Sequence, residues 1–292
     1  MRYLVVFFTF LLSVTFYGQN DYSMSFDGVD DYVEINNSII PESGDFSVSF
    51  WANSITFSGT YAEIVSQGAS GQSAFYIGYN TNGDIRLSDD WQYTGLSFPF
   101  DGIWYYYTLV KSVSNTDFYI DGYLVLSNGS AINNPNPTST PFRIGAASNG
   151  LELFNGFIDD VQIWNSALTQ EQIQNYMSCP PTGNEEGLIG YWNFEEGSGT
   201  TAFDQTSNGN DGEINGSTYS TDVPEQNCQT SESGCIDDQA CNFNENAVED
   251  DGSCDYSCCP GPGCCNDGTY WDDVTQTCLL DITFCSWQPD SN

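Results

Sequence analysis

Short runs in which apolar and polar residues alternate fill most of the chain between residues 22 and 165. They include FSVSFWANS, FYIGYN, DIRLS, WYYYTLVKS, DFYIDGYLVL and FRIGA, separated by turn formers such as TNG, FDG and SNG. β-Branched and aromatic residues dominate these runs, and helical periodicity is absent. Many short strands at regular spacing are typical of an antiparallel two-sheet sandwich. We therefore predict an all-β fold for this part of the chain.

The clearest turn signal is FYIDGYLV, at residues 118–125. Asp121 and Gly122 accept the positive φ angles that a tight hairpin turn requires. This segment predicts two adjacent antiparallel strands.

One segment has helical features instead. TQEQIQNYM begins at Thr169, which can cap the first turn, and Gln172 three residues later can reach back to complete a capping box. Ile173, Tyr176 and Met177 then share one face. The pattern predicts one short helix packed at the end of the sandwich.

The first 18 residues are typical of a signal peptide. Arg2 precedes the apolar run LVVFFTFLLSVTF, which is too short to span a bilayer comfortably. We expect cleavage near Gly18, export to the cell surface or the medium, and no membrane insertion of the mature chain. An uncleaved anchor is the alternative.

Composition shifts divide the rest of the chain. SCPPTGNEEG (178–187) is typical of a linker, strand character resumes at GLIGYWNFEEGSG (187–199), and cysteine spacing dominates from Cys228 onward. We expect a signal peptide at 1–18, a sandwich at 19–180, a trailing segment at 181–227 that completes it, and a small, irregular, disulfide-rich region at 228–292.

The charge balance limits the partners. The chain has 40 Asp and Glu against 4 Lys and Arg, and no His. A nucleic-acid-binding surface needs a basic patch, and an anionic membrane repels so acidic a chain, so neither partner is expected. Multivalent cations are favoured as partners by the net negative charge. The lack of His excludes a His-dependent triad and leaves carboxylate chemistry open.

Eleven cysteines lie in the last part of the chain, ten of them from Cys228 onward. With an export signal they predict disulfides rather than zinc, because oxidation after export competes with thiolate ligation. Cys179 could pair with Cys228, while the spacing leaves the other pairings open. The predicted disulfide residues are Cys179, Cys228, Cys235, Cys241, Cys254, Cys258, Cys259, Cys264, Cys265, Cys278 and Cys285.

Five segments agree in order with a known family. SFDGVDDYVEI, FSVSFWA, WYYYTLVKS, FYIDGYLV and FNGFIDDVQIWNSALTQEQIQ together resemble the laminin-G-like, concanavalin A-like jelly-roll domains of secreted bacterial proteins. The resemblance covers about residues 22–180. It implies two antiparallel sheets and a fold similar to that of pentraxins and legume lectins. Such domains frequently bind calcium, and they bind glycans or proteins on a sheet face or loop edge.

One departure from that family concerns GLIGYWNFEEGSGTTAFDQTSNGNDG. In such domains a similar segment usually precedes the SFDGVDDYV strand, whereas here it follows the helix, at 187–212. We hypothesise that it supplies a missing strand in a circularly permuted sandwich, since the termini of compact domains often lie close together. The alternative is the detached start of a second, incomplete domain.

The cysteine-rich tail also has a resemblance. Its GCIDDQACN and DDGSC segments resemble repeats in exported proteins of marine Bacteroidetes. This resemblance implies export but does not indicate an activity.

Acidic residues suggest a structural calcium site. Calcium takes six to eight oxygen ligands and tolerates irregular loops. Asp27 and Asp30 offer carboxylates, Gly28 a carbonyl, and Asp159 and Asp160 lie on a late strand that the family resemblance places beside this loop. Alternation would bring only one of the adjacent aspartates to an inner site, unless the strand bulges there. The alternative is an ordinary turn with solvated carboxylates.

Glycan binding needs an aromatic platform with polar neighbours. Trp91 lies in the polar stretch LSDDWQYTG, where Asp90 and Gln92 could bond sugar hydroxyls and Tyr93 adds a second ring. The alternative is a tryptophan folded over the edge of the core.

No E-x-D-x-x-E array of the kind used by jelly-roll glycoside hydrolases is present. We therefore predict a non-catalytic module that binds glycans or surface glycoproteins. A structural or adhesive protein without a glycan site, and a module of a polysaccharide-degrading hydrolase, are the alternatives.

Overall fold

The computed structural model of the protein describes residues 21–68, 75–88, 94–135, 141–147, 150–228, 232–238, 240, 242–244, 247–255, 269–272 and 277–280. The chain divides into two compact units between Asn227 and Cys228. The predicted signal peptide lies outside the described residues. Within them, no helix has both the length and the apolar character needed to cross a membrane.

The first unit consists mainly of short strands, as the alternating pattern predicts. In chain order its elements are β1 (Ser23–Asp27), β2 (Tyr32–Ile35), β3 (Phe46–Asn53), β4 (Ala62–Gln67), β5 (Phe75–Tyr79), β6 (Ile85–Leu87), β7 (Tyr105–Lys111), β8 (Thr116–Ile120), β9 (Tyr123–Ser127), β10 (Phe142–Ile144), β11 (Asn155–Trp164), α1 (Gln170–Ser178), β12 (Leu188–Trp192), β13 (Thr201–Ala202), β14 (Gly212–Asn215) and β15 (Thr218–Ser220).

These strands form two antiparallel sheets. One has the order β15-β1-β11-β3-β7-β8-β9, with β12 also paired to β11, and the other has the order β13-β14-β2-β10-β4-β5-β6. Aromatic side chains from both sheets, including Phe46, Phe50, Phe75, Phe118 and Phe142, are fully buried between them. The predicted jelly-roll sandwich is confirmed, and its core owes much of its stability to aromatic burial.

The local signals for the hairpin and the helix are also confirmed. Asp121 and Gly122 have φ angles of 50° and 73° between β8 and β9. Thr169 and Gln172 form both bonds of the capping box at the start of α1. Ile173 is buried there in a second apolar cluster on the outer face of the first sheet, with side chains from β3, β7 and β11.

Residues 188–220 add strands to both sheets. β12 pairs with β11, β14 with β2, and β15 with β1. Along β11, Trp192 lies opposite Val161 and Met24 lies opposite Ile158, so β12 ends just where β1 begins. This segment therefore supplies strands to the sandwich, while its origin by circular permutation stays a hypothesis.

The second unit is small and largely irregular. It contains β16 (Glu232–Gly234) parallel to β17 (Ala247–Asp250), and β18 (Thr269–Asp272) antiparallel to β19 (Thr277–Leu280). A disulfide joins Cys235 to Cys254. Cys179 and Cys228 are also disulfide-bonded, as predicted. The side chains of the other seven predicted disulfide residues lie outside the described part of the chain: Cys241, Cys258, Cys259, Cys264, Cys265, Cys278 and Cys285.

We expect a chain that ends at residue 181 not to fold cooperatively, because it lacks Tyr191, Trp192 and Phe194, which are buried in the first unit. The milder change Trp192→Ala should lower the free energy of unfolding by about 3–5 kcal/mol, the usual cost of removing a buried aromatic side chain. Chemical denaturation and thermal melting measure both effects, with a chain ending at residue 227 as the control. A fragment ending at 181 that is soluble and melts cooperatively would contradict this expectation.

Candidate ligand and metal sites

The loop between β1 and β2 is built around its aspartates. The Asp27 Oδ1 atom accepts a hydrogen bond of 2.8 Å from the Val29 N–H, and the Asp31 Oδ2 atom accepts one of 2.8 Å from the Asp27 N–H. Gly28 has a φ angle of 75°, and a Cβ there would lie 2.9 Å from the Asn155 Cβ. A side chain at this position would therefore be strained and crowded.

This loop gathers three carboxylates. Asp27, Asp30 and Asp31 each offer an oxygen, and these atoms lie within 4.8 Å of one another. Asp31 is buried, which raises its pKa, and the charges of Asp27 and Asp30 raise it further, whereas the hydrogen bond from the Asp27 N–H lowers it. Among the described residues no basic side chain pairs with this group. The three oxygens are close enough to contact one hard cation.

The second half of the predicted calcium site lies elsewhere. β1 does pair with β11, but Asp27 lies opposite Asn155 and Met24 lies opposite Ile158. Asp159 is therefore four residues along β11 from the partner of Asp27, which is roughly 13 Å at about 3.3 Å per strand residue. The prediction that one ion contacts both the loop and this aspartate pair is wrong, because the register separates them.

Asp159 and Asp160 lie instead where β1 and β12 meet along β11. The β3–β11 ladder bulges between Asp159 and Gln162, and Asp160 has a φ angle of 49°. The bulge breaks the alternation, so both aspartates are buried, with exposed fractions of 4% and 3%. The Tyr191 hydroxyl donates to Asp160 Oδ1 at 2.6 Å, and Gln226 Nε2 donates to Asp160 Oδ2 at 2.5 Å. Both oxygens of Asp160 are thus engaged inside the fold.

Burial makes this junction electrostatically unusual. It raises the pKa of Asp160 to about 6, an effect that the two donated hydrogen bonds oppose. Burial and a hydrogen bond with Asp21 together raise the pKa of Glu195 to about 8. The pKa of Asp159 is raised by burial and by the charge of Asp160. The junction therefore retains protons in the folded state near neutral pH.

We expect stability to fall as the pH rises from about 6 to about 8.5. The folded pKa of Glu195 is raised above its ordinary value of 4.5 to about 8 and that of Asp160 from 3.8 to about 6, so the folded state binds protons that the unfolded state has released. Their contribution is largest at low pH and is lost as the pH passes their folded pKa values. The chain has no His, so few other groups titrate in this window.

Thermal melting in EDTA across this window measures the effect. Glu195→Gln should flatten the slope, because it removes the group with the higher raised pKa, whereas Glu42→Gln, at an exposed position, should not. Equal slopes in the wild type and Glu195→Gln would contradict the assignment.

A pocket of about 350 Å³ opens beside the aspartate loop. The ends of three neighbouring strands form it, because Asp27 pairs with Asn155 in β11, and Phe157 pairs with Asn53 in β3. The side chain of Asn155 donates a hydrogen bond to the Asp27 carbonyl. The lining residues are Ser25, Phe26, Asp27, Asn53, Ile55, Thr56, Gly102, Asn155, Gly156, Phe157 and Asp222.

The pocket combines polar and apolar groups. Asn53 is 4% exposed, and its Oδ1 atom has no hydrogen-bond partner among the described residues. Ile55 is 74% exposed at the rim. The Phe157 ring lies 6.3 Å from the ring of Trp104, whose Nε1 donates to Asp222 Oδ1 at 2.9 Å. Amide and carboxylate groups beside apolar surface can bind a ligand that has both hydroxyl groups and C–H faces.

The sequence indicated only part of this surface. Asp27 and Gly28 stood out by composition, but Asn53, Asn155 and Asp222 carry no local signal, because strand pairing alone brings them together. The ligand-binding residues predicted from the sequence, Asp90, Trp91, Gln92 and Tyr93, lie outside the described residues.

The sequence matches the family profile Laminin_G_3, described as the concanavalin A-like lectin/glucanases superfamily, over residues 27–174. That is just over half of the chain. The chain belongs to this family. The matched stretch runs from the aspartate loop to α1, so the family resemblance seen in the sequence is confirmed.

Solved structures similar to this chain include two proteins from other organisms. A candidate carbohydrate-binding protein from Bacteroides ovatus superposes with a TM-score of 0.58 and 21% identity over 70% of this chain. The chain spans 61% of the length of that protein. A pentraxin from Limulus polyphemus has a TM-score of 0.41 and 19% identity, over 57% of this chain and 87% of the pentraxin. At 21% identity, the likeness to the Bacteroides ovatus protein shows the fold alone.

Proposed function

We propose that the protein is a secreted or cell-surface, non-catalytic carbohydrate-binding module. The observation that carries the proposal is the pocket beside the aspartate loop, in which Asp27, Asn53 and Asn155 adjoin the apolar groups Ile55 and Phe157. Sugars present hydroxyl groups along their edges and C–H groups on their faces, and this lining has groups for both. Membership of a superfamily named for lectins and glucanases supports the same function.

The binding role is favoured over catalysis by the state of the most perturbed carboxylates. Asp159 and Asp160 are almost fully buried, and Asp160 accepts hydrogen bonds from Tyr191 and Gln226 on its two oxygens. A glycosidase needs two carboxyl groups that reach one glycosidic bond. These aspartates lie buried in the junction between β12 and β1 instead, which supports a non-catalytic module.

Export is supported by the disulfides. Cys179, Cys228, Cys235 and Cys254 are all oxidised, and disulfides persist mainly in exported proteins. The partners proposed here are glycans, either free or carried on surface glycoproteins.

Calcium is the proposed cofactor, and the aspartate loop is its proposed site. Asp27, Asp30 and Asp31 supply oxygens within 4.8 Å of one another. A divalent cation there would offset the repulsion among three carboxylates that lack a basic partner in the described part of the chain, and it would favour the ionised form of the buried Asp31. The pair at Asp159 and Asp160 is not part of this proposal.

We expect calcium to raise the melting temperature, because an ion that binds only the folded state stabilises it by mass action. EDTA should reverse the rise, and Asp30→Asn should abolish it by removing one of the three grouped carboxylates. The variant should still fold, because Asp30 is exposed and no hydrogen bond to it is seen among the described residues. Glu171→Gln, an exposed change on α1, is the control. Melting temperatures that are equal in calcium and in EDTA would exclude the proposed metal site.

We expect Asn53→Ala to weaken polysaccharide binding by about tenfold, the effect of losing one hydrogen bond worth about 1.4 kcal/mol. Its stability should change little, because Asn53 Oδ1 has no hydrogen-bond partner among the described residues. Ile55→Ala should also weaken binding through lost apolar contact.

The matched control is Val113→Ala, which removes an equally exposed apolar side chain from the β7–β8 turn. Affinity electrophoresis or calorimetry gives the dissociation constants. Binding that is unchanged in both pocket variants would place the ligand elsewhere. If no polysaccharide binds at all, the proposed function is rejected.

A further inference from the structure

The charges around the pocket all have one sign. Asp27 and Asp222 line it, Asp30 and Asp31 lie in the adjoining loop, and no lysine or arginine is among the lining residues. An anionic ligand would have to approach these carboxylates and lose its hydration beside them, which is unfavourable.

The few basic residues of the chain are held at other places. Arg86 pairs with Glu63 and Glu152, and its guanidinium stacks 4.4 Å from the centre of the Tyr61 ring. Arg143 pairs with Glu34 on the second sheet, and its guanidinium stacks 4.4 Å from the centre of the Tyr32 ring. Each arginine is thus already neutralised by at least one carboxylate.

The remaining amine is equally committed. Lys111 Nζ, on β7, donates to the Gly44 carbonyl at 2.7 Å. The fourth basic residue, Arg2, belongs to the predicted signal peptide. Among the described residues no basic side chain is therefore available to recognise a sulfate or a uronate in the pocket, so only the proposed calcium ion of the aspartate loop could do so.

The uncharged groups of the pocket suit a different ligand. Asn53 and Asn155 are amides, Thr56 is a hydroxyl-bearing residue, and Ile55 and Phe157 provide apolar surface. Neutral hydroxyl groups can donate to the carboxylates of Asp27 and Asp222 without a charge penalty. The same carboxylates that disfavour an anion are therefore good acceptors for a neutral sugar.

We infer that this pocket binds a neutral polysaccharide, made of hexose or pentose units without sulfate or carboxylate groups, and discriminates against acidic polysaccharides. The inference rests on the proposed carbohydrate-binding function and names its substrate class. A basic patch at the pocket could have bound an acidic polysaccharide in spite of the net negative charge of the chain.

Matched pairs of polymers test the inference. The full chain would be assayed against neutral and acidic partners of related backbone: mannan with alginate, agarose with carrageenan, and arabinoxylan with glucuronoxylan. Each pair would be measured at low and at 0.5 M salt, with calcium and with EDTA. We expect at least one neutral polymer to bind at least tenfold more tightly than its acidic partner, with little effect of salt, since screening acts on charged ligands.

A variant links the preference to the pocket. Asp222→Asn removes one negative charge and keeps an oxygen that can accept from Trp104 Nε1. It should narrow the difference between the neutral and acidic members of a pair, whereas Asp117→Asn, on the distant strand β8, should not.

The outcomes separate the two proposals. Tighter binding of an acidic polymer would overturn the inference and leave the carbohydrate-binding function standing; if EDTA abolished that binding, the loop cation would be the group that recognises the anion. A neutral preference that survives Asn53→Ala unchanged would also overturn the inference, because the ligand would lie outside the pocket. Absence of binding to every polymer would reject the proposed function itself.

Discussion

Strand β11 is held by three partners at once, and the rest of the sandwich depends on that pairing. β3 lies along one edge, while β1 and β12 share the other edge, meeting end to end opposite Asp159 and Asp160. β1, from the start of the sandwich, and β12, from the segment after the helix, therefore belong to one sheet. The same register also fixes the pocket, since it sets Asn155 beside Asp27 and Phe157 beside Asn53.

Negative charge is the second constraint, and the fold handles it differently at two places. At the β1–β12 junction Asp159 and Asp160 are buried, and Asp160 accepts hydrogen bonds from Tyr191 and Gln226. Burial raises the pKa of both carboxyl groups. In the aspartate loop the groups lie nearer the surface, with Asp27 and Asp30 exposed. The first arrangement lowers the charge inside the fold by keeping protons on buried carboxyl groups, and the second leaves room for a cation or a polar ligand.

Local features of the sequence predicted the local structure well. The hairpin at Asp121-Gly122 and the capping box at Thr169 depend on residues close together in the chain, so the physics that forms them is visible in a short window. The antiparallel sandwich followed from many such windows. The candidate site fared differently: the cluster of aspartates at the loop was visible, but its supposed partnership with Asp159 and Asp160 was not correct, because a strand register spans residues far apart in sequence.

By itself the sequence determined the class of fold, the family and the lack of basic groups, since each depends on composition or on neighbouring residues. Only the tertiary structure decided that β12 follows on from β1 along β11, that a bulge buries both Asp159 and Asp160, and that Asn53 and Asn155 flank Asp27. The physical reason is that a shift of one residue in the register of a strand moves each of its side chains to the opposite face of the sheet. Pairing between distant strands, and not any local pattern, sets that shift.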